Sequence, residues 1–187
     1  MPKLRLFLSL NLDSNYSETL KQDQNALKRL IGTENIRWED PDKFHLTLRF
    51  LGDMNEENVE PLVSTLERLK FDFEKIIFNT DKIDFFPNKR FPNVVFAGLK
   101  EKGNNTDTLV GFIDKIIFNF GVKPDKKFIP HITFGRFNRS KRTKIDKETD
   151  HKLSPLLIEF DSFCLMRSKL MQGGSVYELI SEFKFNN

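Results

Sequence analysis

With 187 residues, 39% of them hydrophobic and 30% charged, the chain is long enough to bury a core and too apolar to remain disordered. No stretch approaches the roughly 20 apolar residues of a membrane helix, the N-terminus lacks an apolar leader, and one cysteine, Cys164, excludes an internal disulfide, so a cytoplasmic globular protein is expected. The formal charge of +3 permits an anionic partner without requiring one, and 20 Phe against 2 Tyr and 1 Trp predict a Phe-rich core.

The first strand, Arg5 to Leu12, alternates: Leu6, Leu8, Leu10 and Leu12 share the core face, and Arg5, Phe7, Ser9 and Asn11 the other. A helix follows, capped by Ser14 or Ser17, with the stripe Leu20, Leu27, Leu30 and Ile31 and a stop at Gly32. A strand starts at Phe44. A helix is expected from about Asn55 to Leu69, with Pro61 marking its first turn or a kink, then strands near Ile76 and Ile83. The order then repeats: a strand through Val94 to Phe96, a helix capped by Asn104 with the stripe Leu109, Phe112, Ile113, Ile116, Ile117 and Phe120, a stop at Gly121, and a strand near Pro130. Strands through Phe160 to Met166 and Val176 to Ile180, separated by Gly173-Gly174, close the chain. No linker divides it, so residues 1–187 are read as one domain of two closely packed lobes. The stretch from Asn138 to Pro155 lacks periodicity and reads as a loop; from Arg136 to Lys144 it carries five cations and no acid.

Two of the three histidines fall at matching places in this repeat, in His45-Leu-Thr47 and His131-Ile-Thr133, 86 positions apart (131 minus 45). The period of two puts His45, Thr47 and Arg49 on one strand face and His131 and Thr133 on another; Arg136 breaks the alternation unless Gly135 allows a bulge that re-aims it. A single His-x-Thr in a strand is ordinary, since threonine suits strands on propensity alone. Two copies packed about a pseudo-twofold axis present two imidazoles and two hydroxyls to one cleft. Opening a cyclic phosphodiester requires a base for the water proton and an acid for the leaving oxygen, and histidine serves as either near neutral pH. Neither motif brings the cysteine or carboxylate ligands that complete most zinc or magnesium sites, and His151, outside any motif, reads as a surface residue.

The chain resembles the two-histidine (2H) phosphoesterases, in particular their LigT-like (ThpR) branch of RNA 2′,3′-cyclic phosphodiesterases, also called 2′-5′ RNA ligases. The resemblance rests on Arg5-Leu-Phe7, the run Phe44 to Gly52, Phe91-Pro92, the run Pro130 to Arg136, and the segment Ser168 to Tyr177. It implies a bilobal α+β fold, with two pseudo-symmetric antiparallel sheets lining a central cleft and helices outside. It also implies opening of cyclic phosphate ends to 2′-phosphates without metal or cofactor, with 2′-5′ joining as the reverse reaction. On the same resemblance His45 is the acid and His131 the base, in an order open to reversal; Thr47, Thr133 and Arg136 hold the phosphate. Phe7 either stacks on a base or packs between lobes, and Arg49 and Tyr177 are supporting candidates. The expected partner is RNA with cyclic phosphate ends, tRNA fragments among them; no membrane is expected, and a monomer is the default. Gly135 departs modestly from the family, where a small residue such as Ala is common. Rival readings are an RNA-binding module without turnover, or hydrolysis of 2′-5′ oligoadenylate or ADP-ribose 1″,2″-cyclic phosphate. The pH optimum of a two-histidine pair is expected within about pH 6 to 8.

Overall fold

The computed structural model describes residues 2–32, 34–124, 127–138, 140–141, 144–145, 151–172 and 174–185. Its elements run β1 (Lys3–Asn11), α1 (Ser14–Ile31), β2 (Ile36–Trp38), β3 (His45–Asn55), α2 (Val59–Leu66), β4 (Ile76–Phe86), β5 (Val94–Glu101), α3 (Asn105–Asn119), β6 (His131–Phe137), β7 (Leu157–Phe160), β8 (Ser162–Met171) and β9 (Gly174–Lys184). The strands form an antiparallel sheet in the order β7-β4-β5-β6-β3-β1-β8-β9, and β2 pairs with β6.

That order reads alike from its middle outward. One half is β3-β1-β8-β9, the other β6-β5-β4-β7; α1 connects β1 towards β3, and α3 connects β5 to β6. The repeat expected from sequence is therefore a palindrome of strands. The two half-sheets are joined at a seam where Leu46 of β3 lies opposite Ile132 of β6. A seam narrow in pairing lets the halves curl around a cleft, because twist accumulates across neighbouring strands.

The helices bury their apolar stripes against the sheet, α1 through Leu20 and Leu27, α3 through Leu109, Val110, Ile113 and Ile117. The core is rich in phenylalanine: Phe78, Phe134, Phe163 and Phe185 are fully buried, and Phe163 stacks on Phe183 at 4.8 Å. Cys164 is buried and free, and burial pushes its thiol up to about 11, so it packs as a small apolar group. Among the described residues no helix is long and apolar enough to cross a membrane.

Several elements differ from the sequence expectation. The cap of α1 is Asp13, which makes no side-chain cap bond, whereas Ser17 is buried within the helix. A 3₁₀ turn, Glu56–Asn58, precedes a shorter α2, and Pro61 sits in its first turn, where no intrahelical N–H is needed. The segments at Ile76 and Ile83 are one strand with a bulge between Thr80 and Ile83. At α3, Asn104 holds the cap position, but the bond to the first turn comes from Glu101, whose Oε1 accepts from the Thr106 amide at 2.9 Å. His151 is half-buried rather than on the surface, with its Nε2 2.9 Å from Asp23 Oδ1; that buried carboxylate also accepts from the amide and hydroxyl of Ser154. This end of the expected loop is thus tied to α1. Arg139 and Arg142 of the basic run lie outside the described residues.

Candidate functional site

Both histidines open their strands, His45 on β3 and His131 on β6. With Leu46 opposite Ile132 in an antiparallel pair, His45 comes to face Thr133 and Thr47 to face His131, so the motifs cross at the seam. Each ring is held by the same device. His45 Nδ1 lies 2.7 Å from the Lys43 carbonyl and His131 Nδ1 2.7 Å from the Ile129 carbonyl, two residues earlier in each case. A carbonyl only accepts, so Nδ1 carries the hydrogen in both rings and Nε2 is left for the cleft. His45 Nε2 accepts from the Thr47 hydroxyl at 3.0 Å.

Aromatic side chains box each imidazole. Phe7 and Tyr177 flank His45, with centroids at 5.2 and 5.3 Å; Phe86 and Phe96 flank His131 edge-on at 5.0 and 5.2 Å. Burial among them lowers the pKa of both rings, that of His45 to about 4. The positive field of Arg136 pushes both in the same direction, and His131 adds to it at His45. In the free protein at neutral pH both rings are therefore neutral. An arriving phosphate reverses this balance, because its negative charge favours an imidazolium.

The residues after each threonine are placed by a bulge. On β3, Thr47 lies opposite Ser9 and Arg49 opposite the next residue, Leu8, which leaves Leu48 as an extra residue. On β6, Thr133 lies opposite Phe96 and Gly135 opposite Val95, which leaves Phe134 extra. One extra residue exchanges the faces of everything after it. Arg136 therefore turns into the cleft, as a bulge near Gly135 would require. Gly135 suits the outer side: a Cβ there would stand 2.7 Å from Cγ2 of Ile36 on β2.

The same bulge on β3 corrects the expectation for Arg49. Its guanidinium leaves the cleft and grips Asp114 of α3, Nε to Oδ1 at 2.6 Å and Nη2 to Oδ2 at 2.9 Å, while Nη1 donates to the Leu48 carbonyl at 3.0 Å. Arg49 is a structural brace. Phe50 takes the cleft position instead, 66% exposed with its ring 6.1 Å from Phe7. The freed carbonyl of the other bulge, Phe134, accepts from Gln24 Nε2 of α1 at 2.9 Å and from the Glu39 amide at 2.9 Å. Each bulge carbonyl is thus satisfied by a side chain that a helix supplies or holds.

A cavity of about 320 Å³ opens beside His45, lined by Arg5, Phe7, Arg37, Phe50, Arg136 and Tyr177 among others. His45, Phe7, Arg136 and Tyr177 are gathered here, with Thr47, Thr133 and His131 on the adjoining seam; Arg49 is not. Phe7 is 3% exposed and wedged among His45, Phe50 and Tyr177, which makes it packing for the His45 ring rather than an open stacking surface. Sequence reasoning gave no role in the site to Phe50, Arg37 or Arg5. Arg5 was legible on the polar face of β1; Arg37 rides on a three-residue strand too short to show a pattern, paired opposite Arg136. None of the three arginines meets a carboxylate in an ion pair among the described residues.

Comparison with known proteins gives a consistent result. Residues 10–96 match the model of the "LigT like Phosphoesterase" family. An RNA 2′,3′-cyclic phosphodiesterase of Archaeoglobus fulgidus is 30% identical over 97% of this chain and 100% of that protein, and one of Methanocaldococcus jannaschii is 27% identical over 96% and 100%. Among solved structures, TT0787 of Thermus thermophilus superposes with a TM-score of 0.75 at 25% identity, covering 97% of this chain and 98% of that one. E. coli LigT complexed with 3′-AMP shares the fold, with a TM-score of 0.78 at 19% identity and 99% of each chain covered.

Proposed function

Because the chain belongs to the LigT-like phosphoesterase family, we propose that it is a cytoplasmic, monomeric RNA 2′,3′-cyclic phosphodiesterase that opens cyclic phosphate ends to 2′-phosphates. We read residues 1–187 as one catalytic unit, since each half supplies one imidazole. The observation that carries the reading is the paired device at the seam, two rings with Nδ1 bound to a carbonyl and Nε2 left to the cleft, that of His45 on the Thr47 hydroxyl, within the field of one unpaired arginine.

The terminal nucleoside enters the cavity beside His45, against the exposed ring of Phe50. Its O3′ then leaves on that side, and in-line displacement brings water from the side of His131. His131 Nε2 takes a proton from the water as the new oxygen–phosphorus bond forms; the bond from phosphorus to O3′ breaks, and protonated His45 Nε2 gives its proton to O3′. The product is a 2′-phosphate with a free 3′-hydroxyl. His131 ends protonated and His45 neutral, and exchange with solvent restores the pair. With burial holding its pKa at about 4, His45 takes up its proton when the cyclic phosphate brings its negative charge. Thr133, Thr47 and Arg136 donate to the non-bridging oxygens, where charge grows in the transition state.

The test is turnover of cyclic mononucleotides and cyclic-ended oligomers in excess chelator, with the phosphate position of each product determined. A 2′-phosphate formed at an undiminished rate is expected. Absence of turnover, a 3′-phosphate product, or loss of activity restored by one divalent ion would contradict it.

A further inference from the structure

Resting on that reading, we propose that a second cavity beside Arg37 and Arg136 is a subsite for the nucleotide preceding the RNA end. The cavity, of about 600 Å³, lies along β2, β5 and β6 and shares Arg37 and Arg136 with the catalytic cavity. The two arginines are partners across the β2–β6 pair, so they stand together between the two spaces. Neither is in an ion pair with a carboxylate among the described residues. Two unneutralised guanidinium groups between two cavities suit a phosphodiester that links one nucleotide to the next.

The walls beyond them supply the rest. Asn35 and Asn93 line this cavity, and their side-chain amides make no hydrogen bond within the protein among the described residues. The Asn138 amide oxygen, by contrast, is occupied by the amide and hydroxyl of Ser140. An amide carries both a donor and an acceptor, and so can bind a base edge or a ribose hydroxyl. Among the described residues that line it, Glu34 alone is acidic.

Two other cavities lack this combination. One of about 450 Å³ along β8 and β9 is lined by Asp13, Glu159, Asp161 and Glu182, and its lysines, Lys75 and Lys184, are already held by three of these carboxylates. In a cavity of about 420 Å³ near Phe86 and Phe96, which Lys82 and Lys89 line, Lys82 is paired with Asp84 at 2.9 Å, and the Asn88 amide oxygen is occupied by the amides of Arg90 and Phe91. Along the face of β2, among the described residues, a polyanion extending from the catalytic cavity meets two arginines outside any ion pair and two unengaged amides together.

The experiment compares kcat/KM for a cyclic-phosphate-ended mononucleotide, dinucleotide and trinucleotide. The dinucleotide is expected to exceed the mononucleotide about tenfold, the equivalent of one or two added hydrogen bonds, with a smaller step to the trinucleotide. Its log–log salt dependence should also be steeper by about 0.7, the share of one phosphate on a single strand. A double variant, Asn35→Ala with Asn93→Ala, is expected to cut the tenfold step to about threefold or less, with unchanged mononucleotide turnover and Tm. Calorimetric binding of the 2′-phosphate mono- and dinucleotide gives the same comparison without turnover. Equal values for mono- and dinucleotide in the wild type would overturn the subsite, as would a step that survives the double variant. A protein that binds these ligands with the expected step but turns none over would refute the catalytic reading alone.

Discussion

Phe50 and Arg136 stand at equivalent places in the two halves, 86 positions apart (136 minus 50), each delivered to the cleft by one extra residue in its strand. The halves share their geometry and divide their chemistry. After the bulge the first half reads Arg49-Phe50 and puts an aromatic ring in the cleft; the second reads Gly135-Arg136 and puts a cation there. The braces differ too. Leu48 O is held by Arg49, which Asp114 of α3 grips, and Phe134 O is held by Gln24 of α1, so each half's helix secures the bulge of the other. A symmetric scaffold can thus carry an asymmetric substrate, with a base on one side and a charged phosphate beside it.

The largest effects should come from what the halves have in common. His45→Ala and His131→Ala are each expected to lower kcat by roughly 10² to 10⁴-fold, as loss of a general acid or base does, with His151→Ala near wild type. A substrate whose bridging 3′-oxygen is replaced by sulfur needs little help in leaving, so it should rescue His45→Ala and not His131→Ala. Rescue of the opposite variant would exchange the two roles.

Next come the residues in which the halves differ. Arg136→Ala is expected to lower kcat/KM about 100-fold, mostly through kcat, since its charge answers the one that grows on phosphate. Phe50→Ala should raise KM about tenfold with kcat nearly intact, the scale of one lost stacking contact. A Phe50 variant defective in kcat, or an Arg136 variant defective only in KM, would erase the division of labour.

The braces should matter least. Gln24→Leu leaves the Phe134 carbonyl with the Glu39 amide alone, and is expected to cost about 1 kcal/mol of stability with a several-fold fall in kcat/KM. Asp114→Ala uncouples Arg49, which is 13% exposed, and is expected to cost about 2 kcal/mol with little change in kcat, because nothing it holds touches the phosphate. Denaturant midpoints measured beside the kinetics separate the two outcomes.

How much of this was legible in the sequence follows from where period and pattern survive. The histidines, the threonines and the repeat that pairs them were readable because they precede the bulges, where alternation still holds. Arg136 was readable only because a glycine stands before it; the same bulge on β3 falls at Leu48, between Thr47 and Arg49, with no glycine to signal it, so Arg49 and Phe50 were given each other's faces. β2 was missed because three residues carry no period, and with it Arg37. His151 was read as exposed because its partner, Asp23, lies 128 positions away on a helix face expected to be polar.

The central claim is that two neutral imidazoles, held alike at Nδ1, share one proton during catalysis. The pH dependence of kcat/KM for a cyclic mononucleotide tests it most directly, because that ratio reports the free enzyme. The active form has one Nε2 protonated and the other bare. Activity must therefore fall at low pH, once both rings hold protons, and at high pH, once neither does. Burial and Arg136 bring His45 to about 4 and hold His131 below its ordinary 6.5, so the maximum should lie between about pH 4 and 6.5, to the acid side of the range expected from unperturbed histidines. The limbs of kcat should lie higher, since bound phosphate raises both values. A bell of this form in kcat/KM, lost in either histidine variant, is the predicted result; a profile flat or still rising at pH 8 would contradict the shared pair.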